Sequence, residues 1–282
     1  MRLALARFPA REPVLIVSGD GLTDFDLAGF YRRMRAARAE AGLLVAAVAD
    51  PRAYGVVELA GDGQVVGFVE KPAWLMEGAV VNTGIYYLEP GLLAGVPVGV
   101  PVDFGHELFP QWIAEGRRVR GEAGRGYWCD VGTVEQYRAA HEAALDGRVR
   151  LPWPVAVTVG PRGQGPVYLG PGAVVEPTAA VGPYAVIGAG VRVMPWARVE
   201  RSIVGRAAVI GAHSQLKGAV VAEEARLDSY ATVEENVVVG RRAHLGYSAH
   251  VFPGTRIGVG EAVAPGSQLY QHQGKANFRQ TV

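Results

Sequence analysis

The sequence predicts two architectures in one chain: an α/β domain over residues 1–150, and a β-helix of six-residue repeats over residues 151–282 with coils from about 167 to 269. Three observations lead there. An aliphatic residue recurs every six positions through most of the second half. Glycine often stands directly after that aliphatic residue. The first half instead alternates short apolar runs with amphipathic stretches, the pattern of strands alternating with helices.

The repeat is read by stepping. From Leu169, steps of six meet Val175, Val181, Ile187, Val193 and Val199. The frame slips by one before Val204, Ile210 and Leu216, slips again before Val221, and then runs unbroken to Leu269. Four residues after each aliphatic position stands a small or β-branched one, such as Ala179, Ala197, Ala225 or Ala243, with Glu261 the clear misfit. Glycine often follows the aliphatic residue, as at Gly170, Gly188, Gly211 and Gly240, and is expected there for a turn of positive φ. One hexad cannot bury its apolar face alone, but stacked coils can. Three hexads close a coil, so about six coils stack at roughly 4.8 Å each. The pattern resembles the left-handed hexapeptide β-helix, and the handedness rests on that resemblance. His213, His244 and His250 lie in this half. His244 and His250 fall on successive faces and diverge, so they read as exposed structural residues rather than as a catalytic group.

The first half is α/β. Residues 14–17 form a continuous apolar run, as a buried parallel strand does, and end in Ser18-Gly19-Asp20. Asp24-Phe25-Asp26 leads into a helix with Leu27, Phe30, Tyr31, Met34 and Ala37 on its apolar side, closed by Gly42. Residues 43–48 form a strand. Residues 56–59 and 65–70 flank Gly61-Asp62-Gly63, a hairpin signal. Residues 80–88 form a strand, and Asp103 precedes an amphipathic helix with Phe104, Leu108, Trp112 and Ile113. Residues 127–131 form a strand, and Thr133 with Gln136 forms a capping box for a helix to about Leu145. Residues 148–154 read as the linker.

Composition narrows the function classes. Lys plus Arg number 28 and Asp plus Glu 27, a net charge of +1, so no polyelectrolyte surface for nucleic acid or membrane is expected. The one cysteine, Cys129, leaves no intramolecular disulfide and fits a reducing cytoplasm. No apolar run reaches the length of a membrane span, and the stretch from Met1 to Arg7 is too short in apolar residues for a signal peptide.

Several short motifs carry polar chemistry, each with a plainer reading beside it. Asp20 ends a strand, where open α/β sheets bind ligands, although Gly-Asp there is also an ordinary turn. Asp130, in Trp128-Cys129-Asp130-Val131-Gly132-Thr133, repeats the idea, and two carboxylates from separate strand ends can share one Mg²⁺. Glu70-Lys71-Pro72 also reads as an exposed ion pair before a proline, and Asn82-Thr83-Gly84 as a bulge. Taken in order, Ser18-Gly19-Asp20, Tyr54-Gly55-Val56-Val57, Glu70-Lys71-Pro72, Asn82-Thr83-Gly84-Ile85-Tyr86, the Trp128–Thr133 run and then a β-helix resemble the sugar-1-phosphate nucleotidyltransferases, most closely those of mannose-1-phosphate guanylyltransferase type.

The resemblance implies a Rossmann-like nucleotidyltransferase domain with a mixed sheet. It implies attack of a sugar-1-phosphate oxygen on the α-phosphorus of a nucleoside triphosphate, with pyrophosphate leaving. In that frame Asp20 and Asp130 hold Mg²⁺ between the phosphates, Glu70 accepts from sugar hydroxyls, and Lys71 meets the sugar phosphate. Asn82 and Thr83 line the sugar pocket, and the Gly55 backbone approaches the ring. Ser18 stands where asparagine is more usual in the family. The family opens with a glycine-rich triphosphate-binding loop that has no counterpart here, since the residues before Val14 match the tail of a later helix. The expectation is therefore an N-terminally incomplete domain without useful transferase activity at this length. Two other readings stay open: a non-catalytic structural or regulatory homologue that oligomerises through its β-helix, and a hexapeptide acyltransferase.

Overall fold

The computed structural model describes residues 10–74, 78–96, 99–160 and 165–270. The chain divides into two compact units, residues 1–130 and 131–282. Of the helix tail expected before Val14, residues 1–9 lie outside the described residues, and residues 10–13 are not helical. Among the described residues, no helix is long and apolar enough to cross a membrane.

The first unit holds strands β1 (Val14–Val17), β2 (Gly21–Thr23), β3 (Ala41–Ala47), β4 (Gly55–Leu59), β5 (Val65–Glu70), β6 (Val80–Leu88), β7 (Val119–Ala123) and β8 (Trp128–Asp130). Six of them form a mixed sheet in the order β5-β4-β6-β3-β7, with β1 also paired to β6, while β2 and β8 form a separate two-stranded ribbon. Residues alternate between the two faces of a strand, and both faces of this sheet are covered. On one side Leu44, Ile85 and Tyr87 pack with Phe30 and Met34 of helix α1 (Leu27–Ala36). On the other, Leu43, Val57 and Tyr86 pack with Phe109 and Trp112 of helix α2 (Phe109–Ala114).

Three local expectations are corrected. The run at residues 14–17 is not a buried parallel strand; it runs antiparallel to β6, from Val14↔Leu88 to Val17↔Ile85, and is half-exposed. Its apolar continuity has another cause: Leu15 packs toward the α1 side and Val14 and Ile16 toward the α2 side. Gly42 does not close α1. The helix ends at Ala36, Arg38 takes the left-handed position at φ +52°, and Ala39 N–H returns to the Met34 carbonyl at 3.0 Å. Gly42 instead sits inside β3, against the side chains of Met34 and Phe30. The amphipathic stretch after Asp103 is not one α-helix. It begins as a π-helical turn, Phe104–Leu108, capped by the Asp103 carboxylate on His106 N–H at 2.7 Å, and then runs into α2. The hairpin at Gly63 (φ +84°) and strand β6 form as expected.

In the second unit, helix α3 (Val134–Leu145) starts at the expected Thr133 cap, whose hydroxyl accepts from Gln136 N–H at 3.1 Å. The reciprocal Gln136 bond lands one residue earlier, on Gly132 N–H at 3.0 Å. Beyond it, strands of two to four residues stack into three sheets, parallel throughout except that Val157–Val159 pairs antiparallel to Pro166–Leu169. Together they make a parallel solenoid of about six turns, consistent with a left-handed β-helix. The stepped aliphatic residues from Val181 to Val263 are all buried in one core. Glu261 breaks the small-residue rule by facing out, where its carboxylate accepts from Gly258 N–H at 2.6 Å.

The two frame slips have a structural cause. Val181 pairs with Val199, eighteen positions on, but Ile187 pairs with Val204 and Val199 with Leu216, one fewer. Both shortened steps fall at the same corner, after Glu200 and after Lys217. Helix α3 lies against that corner: Arg138 donates to the Gly218 carbonyl at 2.8 Å, and Arg201 pairs with Glu142 at 2.7 Å. Ser202 closes it from within, donating to the Glu200 carbonyl and accepting from Ala219 N–H at 3.0 Å.

Among the repeat glycines Gly182 takes the expected positive φ, at +113°, but most of the others need a different explanation. Gly170, Gly188, Gly211 and Gly240 are absent from the positive-φ positions. At Gly211, a Cβ would lie 2.5 Å from the backbone of Asp228 in the next turn, so the side chain is excluded by the stacking of coils. The positive-φ corners are instead held by residues such as Trp196, His213 and Tyr230, at +64°, +59° and +64°. Their strain is offset by inter-coil bonds: His213 N–H donates to Pro195 at 3.0 Å and Tyr230 N–H to Ala212 at 2.9 Å. A Gly211→Ala variant should therefore lose about 1–3 kcal/mol by overpacking. Gly258→Ala should lose much less, because its Cβ would meet only the mobile end of the Glu261 side chain at 3.1 Å. Urea unfolding of both variants checks the contrast, and equal losses would return the explanation to backbone conformation.

Candidate functional site

The predicted polar residues converge on a gap in the pairing of β6. Along one side β6 pairs with β3 at both of its ends. Along the other it changes partner: β4 pairs at Val56↔Val81 and Val57↔Val80, and β1 pairs from Val17↔Ile85 onward. Asn82, Thr83 and Gly84 lie between. The β3 register also shifts here, from Leu43↔Tyr86 to Val45↔Asn82, so β6 bulges at this point. The bulge and the site are one feature. The end of β1, which leads to Asp20, and the start of β4, which is Gly55, meet over it, and Gly55 stands opposite Glu70 in the hairpin.

The second carboxylate arrives on the ribbon. Strand β8 pairs with β2 so that Asp130 lies opposite Gly21, the neighbour of Asp20. The backbone thus brings both aspartates to one end of the ribbon. Asp20 is exposed and Asp130 half-buried. Two bonds join this end to the bulge: Ser18 N–H donates to the Gly84 carbonyl at 3.0 Å, and the Trp128 indole N–H donates to the Thr83 carbonyl at 3.2 Å. Gly84 (φ +74°) has no Cβ to collide with the Ser18 hydroxyl.

Each expected site residue has a defined setting. Glu70 has a carboxylate largely enclosed, its Oε1 3.8 Å from Lys71 Nζ. Lys71 is exposed and adopts φ +46°, with its N–H held by the Tyr54 carbonyl at 3.0 Å. Asn82 is fixed at both ends of its amide: Oδ1 accepts from Gly84 N–H at 3.0 Å, and Nδ2 donates to the Tyr86 hydroxyl at 2.8 Å. Thr83 differs from expectation. Its side chain is buried and its hydroxyl donates to the Leu44 carbonyl at 2.8 Å, so it faces the sheet rather than an open pocket. At Gly55 a Cβ would lie 2.6 Å from both Glu70 Oε2 and the Phe68 ring. The missing side chain there makes room for Glu70, and not directly for a ligand.

Three contributors were not singled out by the sequence. Tyr86 reads as one more aromatic in a strand, but burial pushes its hydroxyl up to about 12, keeping it a neutral partner for Asn82. Gly105 sits in an amphipathic helical pattern, yet a Cβ there would lie 2.8 Å from Glu70 Oε2. Trp128 reads as a flank of Asp130, yet it supplies a bond to the bulge. The solenoid histidines do not join a site. His244 meets Asp228 at 2.8 Å and His250 meets Glu234 at 2.5 Å on different sheets, while His213 stacks on Tyr230. Cys129 is half-buried, and burial raises its thiol above the usual range.

Known proteins share this arrangement of sequence. The family described as nucleotidyl transferase matches residues 2–147, and that described as GMPPB C-terminal domain matches residues 163–258. Mannose-1-phosphate guanylyltransferase 1 of Arabidopsis thaliana is 29% identical over 248 residues, covering 86% of this chain and 68% of that protein. Probable mannose-1-phosphate guanylyltransferase 2 of the same plant is 32% identical over 253 residues, 84% of this chain and 67% of that protein. Mannose-1-phosphate guanylyltransferase of Mycobacterium tuberculosis is 29% identical over 224 residues, 79% of this chain and 56% of that protein. The first match alone takes in more than half of the residues, and the β6 bulge, the Glu70 hairpin and the Asp130 ribbon all lie within it: the chain belongs to the nucleotidyl transferase family.

Proposed function

We propose that this chain recognises a sugar-1-phosphate and serves nucleotidyl transfer to it from a nucleoside triphosphate, in the manner of GDP-mannose synthesis. The domain boundaries would be 1–150 for the transferase-like part and 151–282 for the β-helix, with the β-helix as an oligomerisation surface and the cytoplasm as the place of work. The observation that carries the reading is the convergence at the β6 gap of an enclosed carboxylate, a lysine, a fixed amide and a two-aspartate ribbon.

The chemistry asks for alignment more than for a protein nucleophile, because both reactants are anions. Glu70 would accept from sugar hydroxyls, and its enclosure between Gly55 and Gly105 fixes where they must lie. Asn82, held at both amide ends, keeps one N–H and one lone pair for the sugar. Lys71 would meet the phosphate as a point charge. The Gly55 and Thr83 backbones would shape the pocket wall. Asp20 and Asp130 would hold Mg²⁺, and two carboxylates without further ligands fit a cation that takes one or two from the protein and the rest from phosphates and water. Among the described residues no group of three or more His, Cys, Asp or Glu gathers to hold a metal, so the donor set is that of a shared rather than a caged cation. When bound, the metal offsets phosphate charge.

Calorimetric titration with mannose-1-phosphate tests the reading. Binding is expected, and Lys71→Ala should remove most of it; equal binding by the variant would refute the role of Lys71. A second variant tests the pocket wall. Gly105→Ala suits a helical position, so folding should survive, but the new Cβ must displace the Glu70 carboxylate. Losing a charged hydrogen-bond acceptor should weaken binding roughly tenfold or more. Unchanged affinity with an unchanged melting temperature would show that Glu70 does not touch the sugar.

A further inference from the structure

The ribbon that carries both aspartates is too small to hold its own position. Strands β2 and β8 have three residues each and pair only with one another. Isolated two-stranded ribbons are at best marginal, so the placement of Asp20 and Asp130 depends on what fastens the ribbon to the sheet. At the far end Phe25 is buried and closely covers Gly124, and Asp24 Oδ1 accepts from Tyr127 N–H at 2.6 Å. At the site end the fastening is to two consecutive carbonyls of the bulge. Ser18, two residues before Asp20, bonds Gly84; Trp128, two residues before Asp130, bonds Thr83. Residues i and i+2 of a strand share a face, so the Trp128 ring and the Asp130 side chain leave β8 on the same side. Trp128 also packs against the cluster that contains Leu44 and Ile85 and the one that contains Val56 and Val81, and its ring lies edge-on to Tyr54 at 5.6 Å. Trp128 therefore touches β6, the residue before Gly55, and the strand of Asp130.

We propose that Trp128 is a positioning residue: its indole N–H bond to the Thr83 carbonyl couples the aspartate ribbon to the sugar-binding bulge, so that a divalent cation on the ribbon and a sugar-1-phosphate on the bulge tighten each other's binding. This rests on the proposed function. The bulge residue that carries the carbonyl is clamped from both sides. Thr83 gives its hydroxyl to Leu44 in β3 and receives the indole through its carbonyl, while Asn82 and Gly84 on either side are joined through the Asn82 amide. A shift of the ribbon is thus transmitted to the backbone that orients Asn82, and the reverse holds equally. Coupling between two ligands is reciprocal, so each must raise the other's affinity by the same factor.

The test uses Trp128→Phe in the full chain. The variant keeps an aromatic ring toward Tyr54 and the sheet and removes the N–H donor together with part of the ring volume. Mannose-1-phosphate is titrated with and without saturating magnesium, and magnesium with and without saturating mannose-1-phosphate. In the wild-type chain magnesium should tighten mannose-1-phosphate binding. In Trp128→Phe the enhancement by magnesium should fall by about three- to tenfold, the factor expected for one lost hydrogen bond. A purely structural role would instead weaken binding equally with and without magnesium and lower the melting temperature, and that result overturns the proposal. So does an enhancement of unchanged size, or a wild-type chain that shows none. Lys71-dependent binding in the same titrations would leave the functional reading standing while this coupling fell. Absence of any mannose-1-phosphate binding would remove both.

Discussion

The strand β6 has two different neighbours along one edge, and the site is built in the space between them. Strand β4 reaches it at Val80 and Val81, and strand β1 takes over at Ile85. A continuous partner would engage the backbone groups of residues 82–84. Without one, the Thr83 and Gly84 carbonyls are free to accept from an indole and from a loop amide. The bulge against β3 adds the second ingredient: it turns this stretch out of regular alternation, so that Asn82 can bond the Tyr86 hydroxyl four residues on. In a regular strand those residues would stand about 13 Å apart. The gap and the bulge need each other, since the unpaired carbonyls would be costly if buried without donors.

The solenoid depends on a different constraint, the close approach of successive turns. Its inward aliphatic column supplies the burial, but the spacing of the coils decides which residues can stand beside that column. Turn-to-turn contact excludes a Cβ at Gly211, and the corners compensate their left-handed backbone with amide bonds to the turn before. The corner after Glu200 shows that the repeat is adjustable. Two steps lose a residue there, Ser202 closes the shortened turn, and α3 lies against it through Arg138 and Glu142. A slip that looks like noise in the repeat is a docking surface for the unit's own helix.

How much of this was legible depended on whether the signal was local. The six-residue period fixed the solenoid core because each inward residue is constrained by the same geometry at every turn. The hairpin at Gly63, strand β6 and the Thr133 cap were legible because each is set within a few residues. The direction of β1 was not: an apolar run reports packing on both faces, and Val14 to Ile16 pack on both faces while the strand runs antiparallel to β6. The end of α1 was misplaced because a glycine was favoured for the left-handed position that Arg38 occupies. Short β2 and the mixed-polarity β7 had no period to read. At the site, the polar residues of each motif stood out by chemistry, but Tyr86, Gly105 and Trp128 did not, since their roles exist only across strands.

One physical theme links the two units. In the solenoid, a glycine is required because the neighbouring turn occupies the volume of its Cβ. At the site, Gly105 has the same explanation: the space its side chain would fill holds the Glu70 carboxylate. Positive φ is the more familiar reason for glycine, and it does apply at Gly84, where the bulge turns. Even there the absent Cβ matters as much, because the Ser18 hydroxyl lies where it would project. The distinction bears on how substitutions are interpreted. Where φ is ordinary, an added methyl group acts through the neighbour it displaces, so its effect is read at that neighbour. In the solenoid the neighbour is backbone, and the consequence is stability. In the first unit it is the Glu70 carboxylate, and the consequence is a displaced side chain at the candidate site.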